Sequence, residues 1–307
     1  MPARLPLSSQ RLIVVTGKGG VGKSAVTAAL ALAAARAGRR VLAVDVGRGR
    51  LGSLLGAPAT NGEPRRVKAG PWVASIEAEE ALADFVHGVL RLRLLARRLL
   101  ESTSFQVVAA AAPGLVEYLV LHKLAGWVEA RRLGRPVYDL VVVDAPASGH
   151  SLPLLEAPRT LGALARLGPV ADGLRRHQAL LSDPARTLVC VVTTPEELAV
   201  RETIELHHAL TARLALPVAP PIVNALPPRR FGTPDVAAIE RLDAHPWVTA
   251  GRFHIERRRE AARQVTVVRR ALGAMPIRLP FLFEGPEDPA GLARLTDDLA
   301  AVAGFAA

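Results

Sequence analysis

The sequence predicts an α/β fold, a mostly parallel sheet with helices on both faces, and three observations carry that prediction. Short apolar runs recur at Arg11 to Thr16, Arg40 to Asp45, Trp72 to Glu77, Leu140 to Asp144, Leu188 to Thr193, Pro221 to Ala225 and Ile277 to Phe281. These runs are continuous, the mark of strands buried on both faces, and helical segments separate them in the βα order of a parallel sheet. Half of the 307 residues are hydrophobic, enough for one full core. Residues 1–307 are therefore read as a single domain, in which about 79–135 and 152–183 form a small helical subdomain.

The first run, RLIVVT, leads into Gly17-Lys18-Gly19-Gly20-Val21-Gly22-Lys23-Ser24. An Ala-rich helix follows from Ser24 to Ala37, and Gly38 ends it. Strand, glycine loop and helix in this order fit G-x-x-x-x-G-K-[ST], the phosphate loop of a P-loop nucleoside triphosphatase. The glycines let backbone N–H groups converge on phosphates, and the helix N-terminus adds its partial positive charge. Gly17, Lys18, Gly19, Gly20, Val21, Gly22, Lys23, Ser24 and Ala25 are the candidate nucleotide-binding residues here. Lys23 would reach the β- and γ-phosphates of ATP, and the Ser24 hydroxyl would ligate Mg²⁺. Lysine itself is informative, because only four of the 39 basic residues are Lys and two of them stand in this loop. A compact ammonium fits a tight phosphate loop where a planar guanidinium does not.

Ligands of a parallel sheet bind at the carboxyl ends of its strands, which selects Asp45 and Asp144. Asp144 closes Val141-Val142-Val143-Asp144, a hydrophobic strand ending in an acid, the place of a Walker B aspartate that holds Mg²⁺ through water. Asp45 would face the γ-phosphate and orient the attacking water. Ser24, Asp45 and Asp144 are thus the candidate metal residues, and Lys18 and Asp45 the candidate catalytic ones.

Composition excludes several chemistries. The single Cys190 lies in the apolar run TLVCVV and reads as a packed core thiol. One thiol per chain builds no shared iron–sulfur cluster, no Cys-x-x-Cys zinc clasp and no soft arsenite site. The net charge is +11, but arginines are spread along the chain with acids between them, and aromatics are 4%. With no stacking platform, nucleic acid is disfavoured as a partner. An anionic membrane surface or an acidic partner fits the charge. No run approaches the roughly 18 apolar residues of a membrane span, and Leu12 to Val15 is too short for a secretory signal. A cytoplasmic location is expected.

The order of motifs resembles one ATPase family. The pattern K-G-G-x-G-K-[ST] is similar to the deviant phosphate loop of dimeric ATPases. Ala145-Pro146-Ala147-Ser148-Gly149-His150-Ser151-Leu152 resembles the switch D-T-A-P-T-G-H-T-L of the arsenite-pump and tail-anchored-protein-targeting ATPases. Thr193-Thr194-Pro195-Glu196 with Glu202-Thr203 is similar to that family's P-E-x-x-x-x-x-E-T segment, and Pro113 to Glu117 to its P-G-x-x-E. The resemblance implies that Lys18 reaches across a dimer interface to the partner's nucleotide. It implies a switch at the Gly149 backbone amide and His150. It further implies that Asn224 recognises adenine and that Pro280 and Phe281, in Leu279-Pro280-Phe281, line the base.

Two stretches depart from the family. Its first switch, D-P-A-H-[SN], is here Asp45-Val46-Gly47-Arg48-Gly49-Arg50. Either Arg48 or Arg50 stabilises the phosphate like an arginine finger, or the switch is weakened. The only methionines are Met1 and Met275, so there is no Met-rich client groove. Phe85 to Leu100, apolar with Arg91, Arg93, Arg97 and Arg98, reads either as a packed lid helix or as a basic helix docking a membrane-bound partner. The expectation is a Mg²⁺-dependent, ATP-hydrolysing dimer, a homodimer or a heterodimer with a homologous ATPase. It would couple ATP/ADP state to a protein client or a membrane-surface partner. Two alternatives stand beside it: a nucleotide-binding subunit with little turnover, and a partition-type ATPase binding DNA non-specifically.

Overall fold

The computed structural model describes residues 10–47, 50–57, 62–68, 70–89, 114–163, 167–243 and 245–304, with side chains omitted for 85–89 and 169. Seven parallel strands form the sheet: β1 (Leu12–Gly17), β2 (Val41–Val46), β4 (Trp72–Ile76), β7 (Leu140–Asp144), β8 (Thr187–Thr193), β9 (Ile222–Leu226) and β10 (Ile277–Pro280). A short antiparallel β3 (Arg65–Arg66) completes the order β10-β9-β8-β1-β7-β2-β4-β3. Each predicted apolar run is a strand, with ends shifted by a residue where pairing, not hydropathy, decides them. A separate hairpin joins β5 (Arg131–Arg132) to β6 (Arg135–Pro136).

Alternate residues of β1 face opposite layers. Ile13 and Val15 pack against α1 (Lys23–Arg36) and α10 (Pro289–Ala303). Leu12 and Val14 pack in a second core with α4 (Leu115–Glu129), α5 (Ser148–Gly162) and α6 (Pro169–Ser182). Among the described residues the other α-helices are α2 (Leu51–Leu54), α3 (Ala78–Val89), α7 (Glu197–His208), α8 (Thr233–Arg241) and α9 (Pro246–Leu272). Alanine makes α1 both a strong helix former and a thin one. Ala28, Ala29, Ala31 and Ala34 are fully buried where it lies between the sheet and α10. Of the candidate docking segment Phe85 to Leu100, residues 85–89 continue α3 and 90–100 lie outside the described residues, as do Arg48 and Gly49.

Because β1 sits between β7 and β8, chains leaving its carboxyl end and that of β7 run to opposite faces, α1 on one and α5 on the other. The crevice between them is the binding position of such sheets. At the amino edge of the same strands, polar groups are tied off. Arg40 grips Asp139 through both nitrogens, at 3.0 and 2.7 Å. Arg39 donates to the carbonyls of Gln10 and Asp139 at 2.6 and 2.9 Å. Hydrogen bonding from Arg40 holds the Asp139 carboxyl below its ordinary range.

Candidate functional site

β1 ends on Gly17, with φ of 146°, because a Cβ there would lie 2.1 Å from the Val192 carbonyl oxygen on β8. Gly22, at the N-cap of α1, has φ of 91°, and a Cβ there would meet Asn224 Nδ2 at 2.3 Å. The space is occupied by Asn224, whose Nδ2 donates to the Val21 carbonyl at 2.9 Å. The asparagine in the middle of β9 and the loop after β1 are therefore one contact. Ala225, next in the chain, takes a left-handed φ of 58°, rare for a residue with a side chain and characteristic of strained site walls.

The two loop lysines diverge. Lys23 folds back and donates to the Lys18 carbonyl at 3.0 Å, lining a cavity of about 410 Å³. Burial lowers its pKa, opposed by the Asp144 carboxylate. Lys18 turns away from that cavity and pairs with Glu202 Oε1 on α7 at 2.7 Å. The cavity is walled by residues 20–25 on one side and by Asn224, Ala225, Pro280 and Phe281 on another, with Arg50 and Glu287 at its mouth.

The two predicted aspartates meet. Asp45 and Asp144 are register partners on β2 and β7, both buried. Ser24 Oγ donates to Asp144 Oδ2 at 2.5 Å, and Leu51 N donates to Asp45 Oδ2 at 3.1 Å. Asp144 Oδ1 is buried without a hydrogen-bond partner. Burial and the Asp144 charge push the Asp45 carboxyl from 3.8 up to about 6, only partly offset by the Leu51 N–H. Burial also raises Asp144, against the Ser24 hydroxyl and the Lys23 charge. One hydroxyl and two oxygen-only carboxylates, one with an orphaned oxygen, are donors suited to a hard divalent cation.

The predicted second switch forms the first turn of α5. Gly149 and His150 are exposed there, and His150 N donates to the Ala147 carbonyl at 2.8 Å. Beneath them, Thr16 Oγ1 of β1 donates to Ser151 Oγ at 2.6 Å in a buried bond. Pro280 and Phe281 share the cavity with Asn224, while Gly17, Lys18, Gly19 and Gly149 lie outside its lining. Three features went unread in the sequence: the Lys18 to Glu202 pair, the Arg50 to Glu287 pair at 3.1 Å, and the left-handed Ala225. The two pairs join residues of unremarkable type that only the fold brings together.

Fold and loop define a P-loop nucleotide-binding protein. Residues 10–170 match the family of anion-transporting ATPases, and the chain belongs to that family. It is 34% identical over 243 residues to "ATPase BagA" of Mycobacterium tuberculosis, covering 77% of this chain and 70% of that protein. A "Putative arsenical pump-driving ATPase" of Halobacterium salinarum is 28% identical, over 74% of this chain and 37% of its own length. The "Arsenical pump-driving ATPase" of Escherichia coli is 26% identical, over 64% and 36% respectively. The chain is an ATP-binding ATPase of this family. Among the described residues no helix is long and apolar enough to cross a membrane.

Proposed function

We propose that the chain hydrolyses ATP with Mg²⁺ as a nucleotide-driven dimer, and that α3 to α6, as its helical subdomain, pass the nucleotide state to a protein client or membrane-surface partner. The observation that carries this reading is the divergence of the loop lysines, one inside its own cavity and one facing outward to Glu202. A lysine that served only its own nucleotide would share the cavity of Lys23. In this reading Lys18 exchanges Glu202 for the phosphates bound by a second subunit. The exchange is energetically modest. With side chains 30% and 35% exposed, the pair contributes at most about 1 kcal/mol, whereas ATP must supply about 5.5 kcal/mol to move a switch from 1:99 to 99:1.

Within each subunit, residues 17–25 would cradle the phosphates, with Lys23 on their outer oxygens, and Asn224, Pro280 and Phe281 would hold the base. Ser24 and Asp144 would hold Mg²⁺, with Asp45 beside them, and the metal, when bound, spreads charge from the phosphate oxygens. Asp45 orients the attacking water. The Gly149 amide and His150 sense the γ-phosphate, and a cytoplasmic location suits a nucleotide-driven cycle.

Sedimentation of the purified chain with Mg·ATP, ADP or no nucleotide tests the dimer. ATP is expected to shift the wild type to dimer, Lys18→Arg to bind ATP yet stay monomeric, and Lys23→Ala to lose binding. Dimerisation of Lys18→Arg equal to that of the wild type would overturn the cross-subunit role.

A further inference from the structure

Arg50 stands at the end of the altered first switch, and its side chain bridges the nucleotide cavity. Its backbone is fixed: the carbonyl accepts Leu54 N at 3.1 Å and Ser53 Oγ at 2.8 Å as α2 begins. The guanidinium is free to swing, 78% exposed, and pairs with Glu287 Oε1 at 3.1 Å from the loop between β10 and α10. Arg50 and Glu287 line the same cavity as the loop residues Lys23 and Ser24 and the base-side residues Asn224 and Phe281. The described lining takes in loop residues 20–25 and the base-side residues, but not Asp45, Asp144 or Gly149.

We infer that Arg50 is a nucleotide-binding residue for the diphosphate portion that ADP and ATP share, paired with Glu287 in the cavity wall and exchanged onto the nucleotide when it enters. This rests on the reading of the cavity as the ATP site and deepens it. Arg50 shares its cavity with Asn224, Pro280 and Phe281 and not with Asp45 or Asp144, which assigns it to the diphosphate next to the base-side residues. Its fork matches a phosphate better than it matches one carboxylate oxygen. The exposed pair with Glu287 is weak enough to give way. Glu287 then acts as a counter-ion that keeps an unliganded arginine positioned over the pocket and competes with incoming phosphate.

Titration calorimetry with ADP and with ATP, in Mg²⁺, on the full chain carries the test, using variants at two exposed positions that leave the core untouched. Arg50→Ala is expected to weaken ADP and ATP equally, by about tenfold, the loss of one charge-assisted hydrogen bond. Glu287→Gln is expected to tighten both by about two- to fivefold, because the competitor is gone. The double variant should match Arg50→Ala. Unchanged ADP affinity in Arg50→Ala overturns the inference, as does weaker binding in Glu287→Gln, which would make the pair a structural clasp. Absence of binding by the wild type would overturn the nucleotide site itself, and the inference with it.

Discussion

An aspartate stands just before β7 and another closes it, and the fold treats the two in opposite ways. Asp139, at the amino edge, is gripped by Arg40 and held below its ordinary pKa. Asp144, at the carboxyl edge, is buried beside a second carboxylate, leaves one oxygen unpartnered and is raised. β2 repeats the contrast, with Arg40 just before its first residue and the raised Asp45 near its last. One edge of the sheet has its charges neutralised for stability. The other buries two carboxylates side by side and leaves the Asp144 Oδ1 unpartnered, an arrangement that a cation would relieve.

The largest test of that contrast is Asp144→Asn. Removing the charge is expected to lower ATP turnover by about 100-fold or more, read as phosphate release, while the fold persists. Turnover within tenfold of the wild type would remove the functional half of the comparison.

Asp45→Asn is expected to suppress turnover too, and also to stabilise the nucleotide-free chain. A carboxyl raised from 3.8 to about 6 favours the folded state below about pH 4. That advantage fades as pH rises to about 6, and above it the ionised group destabilises. A gain of about 1–3 kcal/mol near pH 8, vanishing near pH 4, is the expected difference between variant and wild type in thermal melts. A variant less stable at pH 8 would show that Asp45 is satisfied after all.

The smallest effect belongs to the other edge. Asp139→Asn should cost about 0.5–1 kcal/mol and leave turnover unchanged. Its folded pKa is lowered, so its contribution is present above about pH 4 and fades as pH falls further. A turnover defect there would blur the division between the edges.

Most of the carboxyl edge was legible in the sequence, since an apolar run ending in Asp and a glycine loop ending in Lys-Ser carry their geometry locally. The strands were legible for the same reason, except β3 and the β5–β6 hairpin, two-residue segments that only their pairing makes strands. The partnerships were not. Glu202 lies 184 residues from Lys18, and Arg50 and Glu287 are joined through a loop and a helix end that have no shared motif. The sequence also leaves Arg50 open between a γ-phosphate role and a weakened switch. Its place in the cavity wall among loop and base-side residues is the ground for the diphosphate role proposed above.

The buried hydroxyl pair of Thr16 and Ser151 fastens the first turn of α5 to the strand that delivers the phosphate loop. Fifteen residues make α5 a rod about 22 Å long. Pivoted at that fastening, it converts a small local rotation into displacement, with a tilt of about 10° carrying its far end roughly 4 Å. Pro153 and Pro158 lie along its length, so the stiffness with which such a rod would carry a tilt to the neighbouring α4 and α6 depends on two residues past the fastening.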